Sequence, residues 1–169
     1  MRIRALSPAD AAAFHDLRLR GLREDPTAFS SSYEEECEIP VEAVAGRMAG
    51  NAQGMILGAF EGPALVGVVG LQREQAKKLA HKMLLWGMYV APEFRGRGVG
   101  RRLVEEALRQ SFATAGIRQV YLAAHAANTA AVALYEAMGF TSFGVERGSM
   151  IVDGVLQDEV HMVCVRPGE

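Results

Sequence analysis

The chain has 169 residues, 50% of them hydrophobic and 22% charged, which suits one domain over residues 1–169 with a real core but not two large lobes. Eighteen Lys and Arg against twenty Asp and Glu leave a formal net charge of −2, which argues against non-specific binding to nucleic acid or to an anionic membrane. Cys37 and Cys164 stand far apart with no His at ligand spacing, so neither a metal site nor a disulfide framework is expected.

Met1-Arg2-Ile3-Arg4 lacks the apolar stretch of a secretory leader, and a cytoplasmic protein is expected. Arg2 to Leu6 alternates charged and apolar side chains, as a short strand does. Ser7-Pro8 offers a cap and a first-turn proline, and Phe14, Leu17 and Leu22 form a helical stripe to about Glu24, where Asp25-Pro26 stops it. Thr27 to Pro40 reads as irregular, polar and acidic, followed by a second helix over Val41–Met48. Met55–Phe60 and Leu65–Leu71 read as strands joined at Glu61-Gly62-Pro63, with Gln72–Lys78 a loop or strand end. The unbroken apolar run Met83–Val90 suits a central strand covered on both faces, and is too short to cross a bilayer as a helix. After the glycine-rich loop Arg95–Gly100, a helix to about Ala115 keeps Val99, Leu103, Val104 and Ala107 on one side and is stopped by Gly116. Gln119–Ala124 is a small-residue strand. Asn128 caps a helix whose Ala131, Leu134, Tyr135 and Met138 fall at i, i+3, i+4, i+7, with Gly139 closing it. Strands over Thr141–Val152 and Val155–Val165 flank Asp153-Gly154, a strong hairpin signal. The order predicts a mixed α/β domain with helices packed on one twisted sheet.

The loop between the buried strand and the amphipathic helix carries the chemistry. Three alternating glycines, Gly96, Gly98 and Gly100, let the backbone turn tightly and remove side chains that would hold an anion away. The first amides of the helix then point outward at its positive dipole end. Arg95, Arg97, Arg101 and Arg102 add positive charge, and the segment reads as a pyrophosphate site. A dinucleotide fingerprint would need Gly-x-Gly-x-x-Gly after the first strand and an acid about 20 residues on. Here the spacing is Gly-x-Gly-x-Gly, deep in the chain, with no Asp or Glu between Glu106 and Glu136. A Walker loop would end in Gly-Lys-Ser or Gly-Lys-Thr, whereas Arg101-Arg102 follows Gly100. Both nucleotide readings fail.

Arg95-x-x-Gly98-x-Gly100, behind a Val-x-Pro strand end, resembles the acetyl-CoA motif of the GCN5-related N-acetyltransferase (GNAT) family. Asn128, Ala130-Ala131, Leu134-Tyr135-Glu136 and Gly139-Phe140 resemble that family's second conserved helix at the expected separation, and the Asp153-Gly154 hairpin with Asp158-Glu159 resembles many small bacterial members. The resemblance implies a single α/β domain: a twisted, mostly antiparallel mixed sheet of about seven strands, about four flanking helices, and a V-shaped split between strands four and five. It implies an acyltransferase, an N-acetyltransferase with acetyl-CoA as co-substrate and no metal, in which an amine attacks the thioester directly in a ternary complex. On this likeness Met88, Tyr89 and Val90, with a bulge at Gly87, pair with the pantetheine arm, and the amide near Met88 polarises the thioester carbonyl. Backbone groups of Arg95, Gly96, Arg97, Gly98, Val99 and Gly100 hold the pyrophosphate; Arg97, Arg101 and Arg102 either reach phosphates or keep the helix soluble. Asn128 caps its helix or also contacts the pantetheine. Tyr135 belongs to a packed stripe by spacing, and is the general acid for the departing thiolate by resemblance.

An ordinary amine, with a pKa of about 10.4, must lose a proton before attack, so a base is needed. Some relatives place a glutamate on the fifth strand where this chain has Ala123, which leaves the base open among His125, Glu34, Glu35 and Glu93. The resemblance sets the acceptor, a primary amine of a small molecule, amino acid or peptide N terminus, beside Thr27–Pro40 and the last hairpin. Phe29, Tyr33 and Glu34, with Glu35, are expected to wall it and to favour a cationic amine. His161 and Asp158 fall on opposite faces of the last strand. The alternatives are a different acyl group, or a non-catalytic acyl-CoA sensor that keeps the loop without acid and base. Family members often pair through terminal strands or sheet edges, which leaves a homodimer open.

Overall fold

Apolar side chains on both faces of one sheet decide the architecture. The structure, a computed structural model, describes residues 1–50, 53–166 and 168. Strands β1 (Arg2–Ala5), β2 (Gly54–Glu61), β3 (Ala64–Arg73), β4 (Lys82–Val90), β5 (Gln119–His125), β6 (Thr141–Val152) and β7 (Val155–Val165) form a sheet in the order β1-β2-β3-β4-β5-β7-β6. Each adjacent pair is antiparallel except β4–β5, which is parallel. One face carries α4 (Val99–Ala113) and α5 (Thr129–Ala137); the other carries α1 (Ala11–Glu24), α2 (Tyr33–Glu36) and α3 (Val41–Gly50). Among the described residues no helix is long and apolar enough to cross a membrane.

The stripe of α4 packs as its spacing predicts. Val99, Leu103, Val104 and Ala107 are all at most 3% exposed against the sheet, and each buried Val or Leu is worth about 1.5–3 kcal/mol relative to exposure. Asp153 and Gly154 both take positive φ, 49° and 77°, the backbone a tight two-residue hairpin turn requires. The segment read as irregular differs from expectation, because it contains the helical turn α2, making five α-helices among the described residues where about four were expected. Ser32 accepts a hydrogen bond from the Glu35 amide while the Glu35 carboxylate accepts one from the Ser32 amide at 2.7 Å. That reciprocal cap closes a turn too short to show hydrophobic periodicity. At the amino end, Pro8–Asp10 is a 3-10 turn and α1 starts only at Ala11. The Asp10 carboxylate folds back onto Arg4 at 2.7 Å, which holds it well below the usual carboxylate range.

Two features of β4 position the site. Val68 pairs with Tyr89 and Gly70 with Trp86, so Gly87 and Met88 together oppose Val69. The bulge falls at Gly87, whose φ of 61° suits a residue without a Cβ. It resets the alternation: Met83 and Leu85 face α4 and α5 before it, Met88 and Val90 after it, while Tyr89 packs toward α1. Secondly, β4 and β5 pair only from Lys82↔Gln119 to Leu84↔Tyr121. Beyond Leu84 they part, β5 stays with β7, and a gap opens in the middle of the sheet. On the α1 side the indole of Trp86 covers Gly70 of β3, where a Cβ would clash with the ring carbons.

Candidate active site

The gap is bordered by backbone with unused hydrogen-bonding capacity. The Ala91 amide donates to the Val66 carbonyl on β3 at 3.0 Å. Antiparallel alternation then turns the N–H and C=O groups of Val90 and Met88 away from β3 and toward the gap. The Val90 carbonyl is taken by Nε of Arg95 at 2.8 Å, leaving the Met88 N–H and C=O and the Val90 N–H along this edge.

At its lower end the edge meets the start of α4. Gly98 is the N-cap, at φ 76° and ψ 7°, and offers no side chain to its own helix. The first amide satisfied by a carbonyl is that of Arg102, which donates to Gly98 at 3.1 Å; among the described residues the amides from Gly96 to Arg101 donate to no carbonyl within hydrogen-bonding geometry. A row of unpaired N–H groups at a helix start is an anion site by construction. A cavity of about 400 Å³ joins this row to Met88, Tyr89 and Val90 above it and to Asn128, Leu134 and Tyr135 of α5 across from it.

The loop arginines divide. Arg95 donates to Val90 and to Asp25 Oδ2 at 2.5 Å, fastening the loop to the end of α1. Arg101 lines the cavity and pairs with Glu105 at 3.0 Å. Arg97 lies over the Phe94 ring and Arg102 bonds the Met1 carbonyl; neither lines the cavity. Asn128 caps α5 by accepting from the Ala131 amide at 3.0 Å, and lines the cavity as well. Tyr89 contributes only backbone, since its hydroxyl donates to Glu24 Oε2 at 2.5 Å, and burial and that carboxylate push its pKa up.

Next to this cavity lies a smaller one of about 90 Å³. The two share Ala28, Met88, Asn128, Ala131 and Tyr135, so a group at their junction is within reach of both. Tyr135 is 6% exposed, packs edge-on against Phe140, and its hydroxyl makes no hydrogen bond among the described residues. Burial pushes its pKa up to about 12, so at neutral pH it is a proton donor. The other titratable residues of the small cavity are His125 and Glu159, which sit directly opposite one another on β5 and β7. Nε2 of His125 is 2.9 Å from Gln157 Oε1, and Glu159 accepts from the Ser149 hydroxyl.

The residues expected to wall an acceptor are scattered instead. Phe29 is a core residue, 6% exposed, with its ring tilted against that of Tyr89. The Tyr33 hydroxyl is bonded by Arg23 in a separate recess on the outer side of α1. Glu34 is exposed and lines neither cavity. Glu35 is spent on the α2 cap, and Glu93 is held by Arg20 at a pKa of about 2. His161 bonds Glu146 and Asp158 bonds Arg147. Glu159, which the sequence offers only as part of the last hairpin's resemblance, lines the small cavity with Tyr135, a place that depends on the β5–β7 register.

The family model described as the acetyltransferase (GNAT) family matches residues 18–140. Over 99 residues the chain is 38% identical to a protein named N-alpha-acetyltransferase RimI from Mycobacterium tuberculosis, a stretch covering 58% of this chain and 59% of that one. It is 33% identical over 86 residues to a spermidine N(1)-acetyltransferase from Vibrio cholerae, covering 51% of this chain and 50% of that one. The matches thus span about half the length of these curated relatives. A crystal structure of a GNAT-family acetyltransferase from Streptococcus pneumoniae superposes with a TM-score of 0.83 at 25% identity, over 98% of this chain and 99% of that one.

Proposed function

The chain belongs to the acetyltransferase (GNAT) family, and on that premise we propose that it transfers an acetyl group from acetyl-CoA to a primary amine by direct attack. The observation that carries this reading is the unpaired main chain of β4 at the gap, continuous with the unpaired amides from Gly96 to Arg101. An extended amide-bearing arm ending in a pyrophosphate matches that border group for group. Met88 and Val90 would pair with the arm, the Gly96–Arg101 amides would hold the phosphates, and Asn128 and Arg101 would close the far wall.

Acetyl-CoA supplies a thioester; the protein supplies the groups around it. The Met88 N–H donates where negative charge develops on the carbonyl oxygen. Tyr135 gives a proton to the departing sulfur, and the burial that disfavours a tyrosinate also disfavours a free thiolate. Glu159, the carboxylate of the small cavity, takes the proton lost by the amine, in place of the open choice among His125, Glu34, Glu35 and Glu93. The new N–C bond replaces the C–S bond, and one proton passes to sulfur as one leaves nitrogen. The free Tyr135 hydroxyl favours this reading over a non-catalytic sensor. Pairing into a homodimer is supported by the edge position of β6 and by Phe143, Ile151 and Leu156 exposed on its hairpin.

The test is coenzyme A binding by calorimetry, followed by thiol release from acetyl-CoA across a panel of amines. Binding together with amine-dependent release is expected. No binding would remove the reading.

A further inference from the structure

On the α1 side of the sheet lies a cavity of about 340 Å³ that the mechanism above does not use. Its floor is the Trp86 indole, its walls are apolar (Phe14, Val44, Met48, Ile56), and four polar side chains converge on it: His15, Arg18, Glu36 and Arg47. Small-molecule sites have this size and this make-up. His15, 7% exposed, lines the cavity beside Glu36, whose carboxyl it helps to hold down, so an imidazole stands at the wall together with the ion pair.

Arg18 links this cavity to the reaction centre. Its Nε and Nη2 donate to the Glu36 carboxylate at 2.5 and 2.6 Å, with both side chains about 15% exposed or less. Its Nη1 donates to nothing among the described residues, and lies 3.4 Å from where a Cβ on Gly87 would stand. An unused pair of N–H donors thus sits beside the bulge, and the neighbouring Trp86 lines both this cavity and the small one that holds Gly87, Met88 and Tyr135. Arg47 at the cavity also has no ion-pair partner among the described residues. Arg18 and Arg47 against Glu36 make the lining net positive, the wrong sign for a polycation and the right one for a single carboxylate.

We propose that this cavity is the acceptor pocket and that the acceptor is a free α-amino acid with an apolar side chain. The side chain lies over Trp86 between α1 and α3, the carboxylate binds Nη1 of Arg18, and the α-amine, two bonds from the carboxylate carbon, is thereby delivered to Gly87 and Met88. This rests on the acetyl-transfer reading and deepens it by naming the substrate class. It also reverses the expectation of a cationic amine that the acidic Glu34-Glu35 segment suggested.

The experiment uses the full chain. Thiol release from acetyl-CoA is measured with L-phenylalanine, L-leucine, phenylalaninamide, phenethylamine, spermidine and a short peptide, alongside calorimetry with coenzyme A. Phenylalanine and leucine should be acetylated, with kcat/KM roughly tenfold or more above the amide and the decarboxylated amine, since both lose an Arg–carboxylate contact. Met48→Trp, which fills the cavity, should raise KM for phenylalanine at least about tenfold with coenzyme A affinity unchanged; if that variant does not fold, the acid-to-amide ratio decides alone. Coenzyme A binding with turnover of spermidine or the peptide but not of the amino acids overturns the proposal and leaves acetyl transfer standing. So does equal use of acid and amide. Absence of coenzyme A binding overturns acetyl transfer, and this proposal with it.

Discussion

Gly98→Ala isolates what the loop backbone contributes. The residue stands at φ 76°, and a Cβ built there meets nothing within 4 Å, so the substitution adds no clash and the whole penalty is conformational. A left-handed backbone costs a residue with a Cβ about 1–2 kcal/mol, which in a chain of this size lowers Tm by roughly 2–8 °C. If the loop instead relaxes, the amides from Gly96 to Arg101 lose their common direction. Each hydrogen bond to a charged group contributes about 1.5–3 kcal/mol, so losing one weakens coenzyme A binding roughly 10- to 150-fold. Asn tolerates this conformation better than Ala, so Gly98→Asn should fall between parent and Gly98→Ala on both scales. Differential scanning fluorimetry reads the first effect and titration calorimetry the second. A Tm that does not fall, which means the loop has relaxed, together with an unchanged coenzyme A affinity would refute the assignment of these amides to the pyrophosphate.

Tyr135→Phe should lower kcat about 100-fold or more with acetyl-CoA affinity unchanged; because burial holds the hydroxyl pKa up at about 12, the parent should show no loss of rate from tyrosine ionisation below pH 11, and a basic limb near pH 10 that vanishes in the variant would contradict the buried-donor picture. Arg95 and Arg101 should separate in a salt titration: Arg101→Ala should flatten the salt dependence of coenzyme A binding, whereas Arg95→Ala should leave the slope alone and lower Tm, since it unfastens Val90 and Asp25. Glu36 offers a pH test of stability. Burial alone would raise its carboxyl, but Arg18 outweighs burial and holds it below its ordinary value. The pair therefore contributes fully above the unfolded pKa of about 4.3 and is lost as pH falls through the lower, folded one. Glu36→Gln should cost about 1.5–3 kcal/mol at pH 7, and denaturant midpoints of parent and variant should converge on acidification; a gap that stays constant to pH 3 would show that the pair is not what stabilises this corner.

Periodic and local signals in the chain translated well into structure. The alternating glycines behind an apolar strand, the stripe of α4, the Asn128 cap and the Asp153-Gly154 turn each depend on neighbours within one or two turns, and each stands where it was expected. What failed depends on distance along the chain. Phe29 and Tyr33 look like a ligand wall because they sit in a polar segment, yet Phe29 is drawn into the core by Gly21 and Tyr89, and Tyr33 is claimed by Arg23. The Arg95 side chain counts only as loop charge in the sequence, and its partner, Asp25, lies seventy residues earlier. Neither Glu159 nor Arg18 has a role that its sequence neighbourhood declares: the first gains its place from strand register, the second from the approach of α1 to a bulge.

The indole resting on Gly70 makes two sites 16 residues apart a single evolutionary unit. No side chain can be gained at 70 while Trp86 keeps its pose, and shrinking Trp86 alone would hollow out the space beside the bulge. Drift at either locus should be gated by the other, so descendants that change acceptor preference should swap the two together.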